Sequence, residues 1–209
     1  MSCFFHKHVL LVLLGIAVLA VVAWRTSPNT PSTPPPPALA TQLPQDRIDL
    51  SDSIIRTGDV LTSEGLPNNY YVGSNLKRYV FTTQQTYFTW YPASARIKKI
   101  DRKKLEAIPL GGNVTYRPGM RIITFATDPT HYVVGHGGTL HEATSSQLNG
   151  YYGKNWKERV DVLEEYYLPD YRMEGSIRLS SSYSPLEEYA SSKTISHDKN
   201  LVANLPSQK

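Results

Sequence analysis

The stretch GDVLTSEGLPNNYYVGSNLKRYVFTTQQTYFTWY, which begins at Gly58, is answered by GMRIITFATDPTHYVVGHGGTLHEATSSQLNGYYG, which begins at Gly119. Gly58 matches Gly119 and Tyr71 matches Tyr132 at a spacing of 61, while Thr82 matches Thr144 and Gln85 matches Gln147 at a spacing of 62. A duplication of this period means one supersecondary unit used twice, and that restricts the folds open to the chain more than any other feature. Each copy reads as a strand (60–63; 121–125), a turn rich in Pro and Asn or Asp, a second strand (70–72; 131–134), a Gly or Asn turn and a third strand (78–81; 139–141). A short helix follows, opened by a capping box, Thr82-x-x-Gln85 or Thr144-x-x-Gln147. In such a box the threonine oxygen accepts from the N3 amide and the glutamine reaches back to the cap amide. The expected class is α+β, with two tandem pseudo-repeats of small antiparallel hairpins and short helices.

The first copy contains RYVFTTQQTYFTWY, six aromatic residues in fourteen positions. Tyr87, Phe88, Trp90 and Tyr91 fall at i, i+1, i+3 and i+4, which groups them on one face of a helix, and Tyr79 and Phe81 share one face of the preceding strand. This predicts an aromatic helix laid on a sheet, with Phe81, Phe88 and Trp90 in the core. Tyr70, Tyr71 and Tyr91 remain candidate ligand contacts, because a tyrosine buries its ring while its hydroxyl stays wet.

Between the copies, Asp101 is a good N-cap for a helix through Ala107, stopped by Pro109 and the Gly111-Gly112 pair. NVTYR (113–117) alternates as a strand and carries a glycosylation sequon by pattern. After the second copy, Trp156, Val160, Leu163 and Tyr167 recur at helical spacing and predict an amphipathic helix ending before Pro169. From Ser180 onward apolar periodicity is low, and the tail, 177–209, reads as mostly disordered.

Ahead of this folded part, 46–176, lie two segments of different character. Residues 9–24, VLLVLLGIAVLAVVAW, are unbroken apolar and as a helix would span about 24 Å. The hydrocarbon core is about 30 Å thick, and the gap closes if Phe4 and Phe5 are added and Lys7 snorkels. Residues 1–25 therefore read either as one transmembrane anchor helix or as a cleavable signal peptide, and both readings place the rest of the chain outside the cytoplasm. Residues 26–45 contain SPNTPSTPPPPALATQLP, an uncharged Pro-, Ser- and Thr-rich stretch that favours an extended spacer of about 50 Å. The lone Cys3 excludes an intrachain disulfide, a redox dithiol and a multi-cysteine zinc site.

Candidate chemistry is sparse. RIKKIDRKKLE gathers Arg96, Lys98, Lys99, Arg102, Lys103 and Lys104, a segment with which an anionic envelope polymer or lipid headgroup could pair. A net charge of +4 falls short of a dedicated nucleic-acid binder. HYVVGHGGTLHE offers His131, His136, His141 and Glu142; across a hairpin His131 and His141 could approach one another, with His136 pointing away at the turn. DVLEEYYLPD clusters Asp161, Glu164, Glu165 and Asp170, where Asp161 and Glu165 on one helix surface would be solvated rather than catalytic. No phosphate loop, dinucleotide fingerprint or nucleophile elbow is present.

The strings KRYVF, TYFTWYP, PLGGNVTYRPG and YGKNW resemble an uncharacterised module of predicted secreted and surface proteins, found mainly in poorly cultured, small-genome bacteria and often in tandem copies. The resemblance covers about residues 55–171, and PLGGNVTYRPG is its most specific part. It implies an extracytoplasmic, non-catalytic module and carries over no catalytic residues. The chain departs from the pattern at HGGTLHEATSSQLNG, where the family has a basic residue and a tryptophan after the Gly-Gly turn. The expectation is a membrane-anchored, extracytoplasmic structural or binding module of the cell envelope, without cofactor. Through Tyr70, Tyr71, Tyr91 and the basic segment it is expected to contact an anionic envelope polymer or another surface protein. The alternative is an envelope hydrolase, metal-assisted through His131, His141 and Glu142.

Overall fold

The computed structural model describes residues 47–50, 53–176, 183–201 and 203. A hairpin of β1 (Arg47–Leu50) and β2 (Ser53–Arg56) precedes two five-stranded mixed sheets. The first sheet is built from β3 (Val60–Thr62), β4 (Tyr70–Val72), β5 (Arg78–Val80), β6 (Lys98–Lys99) and β7 (Leu110–Asn113), in the order β6-β3-β4-β5-β7. The second is built from β8 (Ile122–Phe125), β9 (Asp128–Gly135), β10 (Thr139–Glu142), β11 (Val160–Leu163) and β12 (Arg172–Ser176), in the order β11-β8-β9-β10-β12. In both, three strands form an antiparallel meander, and the two later strands add to its edges in parallel. The sheets are therefore mixed rather than purely antiparallel, because each meander is followed by crossovers that return the chain to its edges.

The helices occupy the crossovers. α1 (Gln84–Trp90) joins β5 to β6, and α2 (Arg102–Ala107) joins β6 to β7. In the second repeat, α3 (Ser145–Tyr152) joins β10 to β11, and a 3-10 segment, Glu165–Asp170, joins β11 to β12. Register follows the duplication. Val60 pairs with Tyr71 and Ile122 with Val133; Tyr71 pairs with Tyr79 and Val133 with His141; each partner is displaced by 62. Even the irregularity recurs, between Arg78 and Tyr79 in one sheet and between Leu140 and Glu142 in the other.

Because side chains alternate across a strand, each sheet buries both faces. In the first, Val60, Tyr71, Tyr79 and Phe81 pack with Tyr87 of α1, while Leu61 and Val72 pack with Ile100, Leu105 and Ile108 around α2, together with Ile55 of β2. In the second, Ile122 and Val133 meet Leu148 of α3 and Trp156, while Ile123, Tyr132, Val134 and Leu140 pack with Leu163 and Tyr167.

Two segments join the repeats, and both differ from expectation. NVTYR is not a strand beyond β7: Val114, Thr115 and Tyr116 run buried between the sheets, Val114 in the core of the first repeat and Tyr116 in that of the second. Val114 N still donates to Val80 O of β5 (2.8 Å), and beyond it side chains satisfy the backbone groups, as buried amides require. Thr115 O accepts from Trp90 Nε1 (2.8 Å), Tyr116 N donates to Tyr171 Oη (3.3 Å), and Arg117 N donates to Thr89 Oγ1 (3.0 Å).

The second joining segment is the tail. Rather than being mostly disordered, its described part forms α4 (Pro185–Ser191) and α5 (Ile195–Asp198), each with a side-chain N-cap, Ser184 and Thr194. Tyr183 packs against Tyr151 and Tyr152 of the second repeat, and Ile195 enters the core of the first. Glycine is required where this strap crosses: at Gly119, φ +73°, an added Cβ would lie 1.9 Å from the carbonyl oxygen of Pro185.

Three further expectations change. The helix expected over Trp156, Val160, Leu163 and Tyr167 is instead a 3-10 turn (Trp156–Arg159), strand β11 and the 3-10 segment. VDVL also alternates, its valines are β-branched, and β8 offers a parallel partner, so tertiary pairing overrides the helical spacing. The first helix is capped by Thr83, whose side chain accepts from Thr86 N, not by Thr82 with Gln85; the capping box of Thr144 and Gln147 is as expected. No helix among the described residues is long and apolar enough to cross a membrane. The expected anchor at 1–25 and the spacer at 26–45 lie outside the described residues.

Candidate functional site

α1 sorts its rings three ways. Tyr87 and Tyr91, one turn apart, stack (5.6 Å between centroids) and meet Phe81 edge-on at 5.2 and 6.0 Å. Trp90 turns toward the linker and donates to Thr115 O, with the Arg117 guanidinium 5.5 Å from its ring centroid. Phe88, expected in the core, is 44% exposed. At 100° per residue it lies a quarter-turn beyond Tyr87, and a two-turn helix seats only one stripe on the sheet.

That exposed ring borders a cleft of about 580 Å³ between α1 and the turn leading into β4, with Asn68, Asn69, Thr82 and Gln84 around it and Tyr87 at its wall. A second groove, of about 310 Å³, shares Thr83 with it and is lined by Tyr116, Asp161, Tyr166 and Tyr167. There the Tyr116 hydroxyl lies against Asp161 and Thr83; burial first, then the Asp161 carboxylate, holds its phenol well above the usual tyrosine range.

The tyrosines singled out from sequence go to different places. Tyr71 is buried, and its hydroxyl shares a hydrogen bond with Ser196 Oγ (2.7 Å), so it ties the strap down. Tyr91 is half-buried on Tyr87, and burial, followed by its neighbours Tyr71 and Tyr87, raises its pKa. Tyr70 is half-buried against the α2 side of the first sheet, beneath the Arg78 guanidinium (5.6 Å).

The basic segment is not a single patch. Lys98 pairs with Asp59 (2.5 Å), Lys99 with Glu64 (3.1 Å) and Arg102 with its i+4 neighbour Glu106 (2.8 Å). Lys103 is exposed, and Lys104 is half-buried with an interaction of its own. The pairs set carboxylates among the cations, which weakens any field an anionic polymer would meet.

The histidines do not converge. His131 packs edge-on against Trp156 (5.1 Å), His141 reaches Glu174 at 3.9 Å, and Glu142 is exposed at the end of β10. Among the described residues no three His, Cys, Asp or Glu side chains are grouped to hold a metal ion. Asp161 and Glu165 are also apart in role: Asp161 pairs with Arg121 (2.5 Å), and the side chain and then the backbone amide of Thr127 lower the pKa of Glu165.

Sequence reasoning missed the buried acid of the strap. Asp198 is fully buried, accepts from Gly137 N (2.9 Å) and Ser192 Oγ (3.2 Å), and faces His136 Nδ1 at 3.2 Å. Burial raises its pKa, against the opposing pull of the Gly137 amide and of His136. The signals that point to this strap are Ser184-Pro185-x-Glu187 and Thr194, helix starts of a recognisable kind. Comparison with known protein families, with curated proteins and with solved structures finds no match.

Proposed function

We propose that this chain is a membrane-tethered display module of the cell envelope, in which an N-terminal apolar helix anchors, a Pro-rich stretch spaces, and the two-repeat head binds. The observation that carries this reading is the order of segments: an unbroken apolar run at 9–24, an uncharged Pro-rich stretch, then the folded head. The architecture of the head supports a binding role. A buried linker and a strap that touches both cores hold the repeats in one arrangement, and a binding surface fixed in advance loses less entropy when it is occupied. Where the N-terminal run is cleaved as a signal, the same head is released rather than displayed.

Cell fractionation tests the reading. The full-length chain is expected to partition with membranes, to resist extraction by high salt and alkaline carbonate, and to lose its head to protease added outside intact cells. Recovery of a soluble form beginning near Trp24 would replace the anchor by a cleaved signal. Recovery of the intact chain in the soluble cytoplasmic fraction would contradict the proposal.

A further inference from the structure

The cleft beside α1 has a lining that suits one chemical class, and we propose that it binds an uncharged glycan chain. The inference deepens the display reading by naming what the head would hold at the envelope. Its chemistry, however, belongs to the head and can be read in solution.

Among the described residues no charged side chain lines the cleft, so they offer an ionic ligand no counter-charge there. Its volume of about 580 Å³ lies within the range of small-molecule clefts. Besides the Thr83 hydroxyl, already bonded to Thr86, and the buried Tyr87 hydroxyl, the polar side-chain groups that line it are the amides of Asn68, Asn69 and Gln84 and the hydroxyl of Thr82. Among the described residues these last four side chains have no hydrogen-bond partner. Each amide offers both a donor and an acceptor within a few ångströms, which matches sugar hydroxyls, themselves donor and acceptor at once.

Phe88 supplies the apolar contact. A large ring left 44% exposed at the mouth costs hydrophobic free energy unless something covers it. A pyranose ring presents a flat face of C–H groups, slightly positive, to the negative π face of an aromatic ring. Tyr87, 4% exposed, forms part of the wall, and because its hydroxyl is itself buried the contact it offers a ligand is through the ring. A Pro-rich peptide also takes aromatic grooves, but it offers few donors for three amides, which favours the glycan.

Isothermal titration of the full-length protein in detergent tests the proposal, with chitotetraose, cellotetraose and mannotetraose as probes and a Pro-rich peptide in a separate cell. At least one oligosaccharide is expected to bind. Phe88→Ala should weaken it by about tenfold or more, and Asn68→Ala and Gln84→Ala should weaken it several-fold, with melting temperatures unchanged because these side chains are at the surface. Four outcomes would overturn the proposal: no binding of any of the sugars at millimolar concentration, sugar binding indifferent to Phe88→Ala, peptide binding without sugar binding, or weakening by Phe88→Ala that only follows unfolding while Asn68→Ala and Gln84→Ala leave binding unchanged. Membrane fractionation is unaffected by any of these results, so failure of the glycan site and failure of the display reading are distinguishable.

Discussion

The two repeats share strand order, register and even the position of a bulge, yet almost every residue that does the work differs. At one equivalent pair of positions the charges are reversed: Asp59 with Lys98 in the first repeat, Arg121 with Asp161 in the second. Both pairs close the edge strand onto the meander, so the position calls for opposite charges and is indifferent to which strand carries which. The crossover helices contrast more strongly. α1 fills its face of the sheet with Tyr87 and Tyr91, whereas α3 contributes Leu148 and depends on Trp156 and on Tyr183 from the strap. The fold tolerates this exchange because hydrophobic burial counts area and volume and is less particular about which element supplies them. What it does not exchange are the two joining segments, which have no counterpart within a single repeat.

If those segments make the repeats one body, the linker is the place to break it. Tyr116→Ala removes a ring that is 1% exposed, packed in the second core and hydroxyl-bound toward Thr83 of the first repeat. The expected loss is about 3 to 5 kcal/mol by urea denaturation. A loss below about 1 kcal/mol would mean that the ring is not structural.

Gly58 and Gly119 sharpen the comparison, since they occupy the same place in the two repeats. Each donates its amide to the repeat's own strand, to Val72 O and Val134 O, and each has positive φ. Around Gly58 an added Cβ meets nothing within 4 Å, whereas at Gly119 it meets Pro185. Gly58→Ala should cost only the backbone penalty, about 1 to 2 kcal/mol. Gly119→Ala should cost that and also dislodge α4, seen as faster hydrogen exchange over residues 185–198. Equal costs with an undisturbed strap would contradict the contact.

The smallest effect lies at Asp198, whose folded pKa is raised above the 3.8 of an ordinary aspartate. The folded state therefore holds this proton more tightly than the unfolded chain does. The resulting stability is complete below pH 3.8 and is lost as pH rises through the folded pKa. Asp198→Asn retains an oxygen for Gly137 N and has no such titration. The stability of the variant relative to wild type should therefore increase from pH 3 to pH 7 in paired urea curves, and a difference that does not change with pH would refute the assignment.

Much of each meander was legible in the sequence, because β4, α2 and the box at Thr144 are set by neighbours a few residues away. What escaped was decided across the chain. β11 looks helical until β8 is placed beside it, and Phe88 counts as core until the helix proves to be two turns long. NVTYR alternates like a strand but leaves the sheet after Val114, where Trp90, Thr89 and Tyr171 are its partners instead of an edge. Low apolar periodicity made the tail look unstructured, although one isoleucine and one aspartate are enough to seat α5 when both enter preformed surroundings. The ion pairing within the basic segment escaped for the same reason, since its carboxylate partners Asp59 and Glu64 lie at least two strands and a helix away in sequence.

Native-state hydrogen exchange of the full-length protein across a denaturant series tests the central claim most directly, with the amides of β4 and β9 followed side by side. If the linker and strap fuse the repeats, the two strands should open with the same free energy at every denaturant concentration and converge on global unfolding. Opening of one strand at a markedly lower free energy while the other stays protected would show two independent repeats and contradict the account.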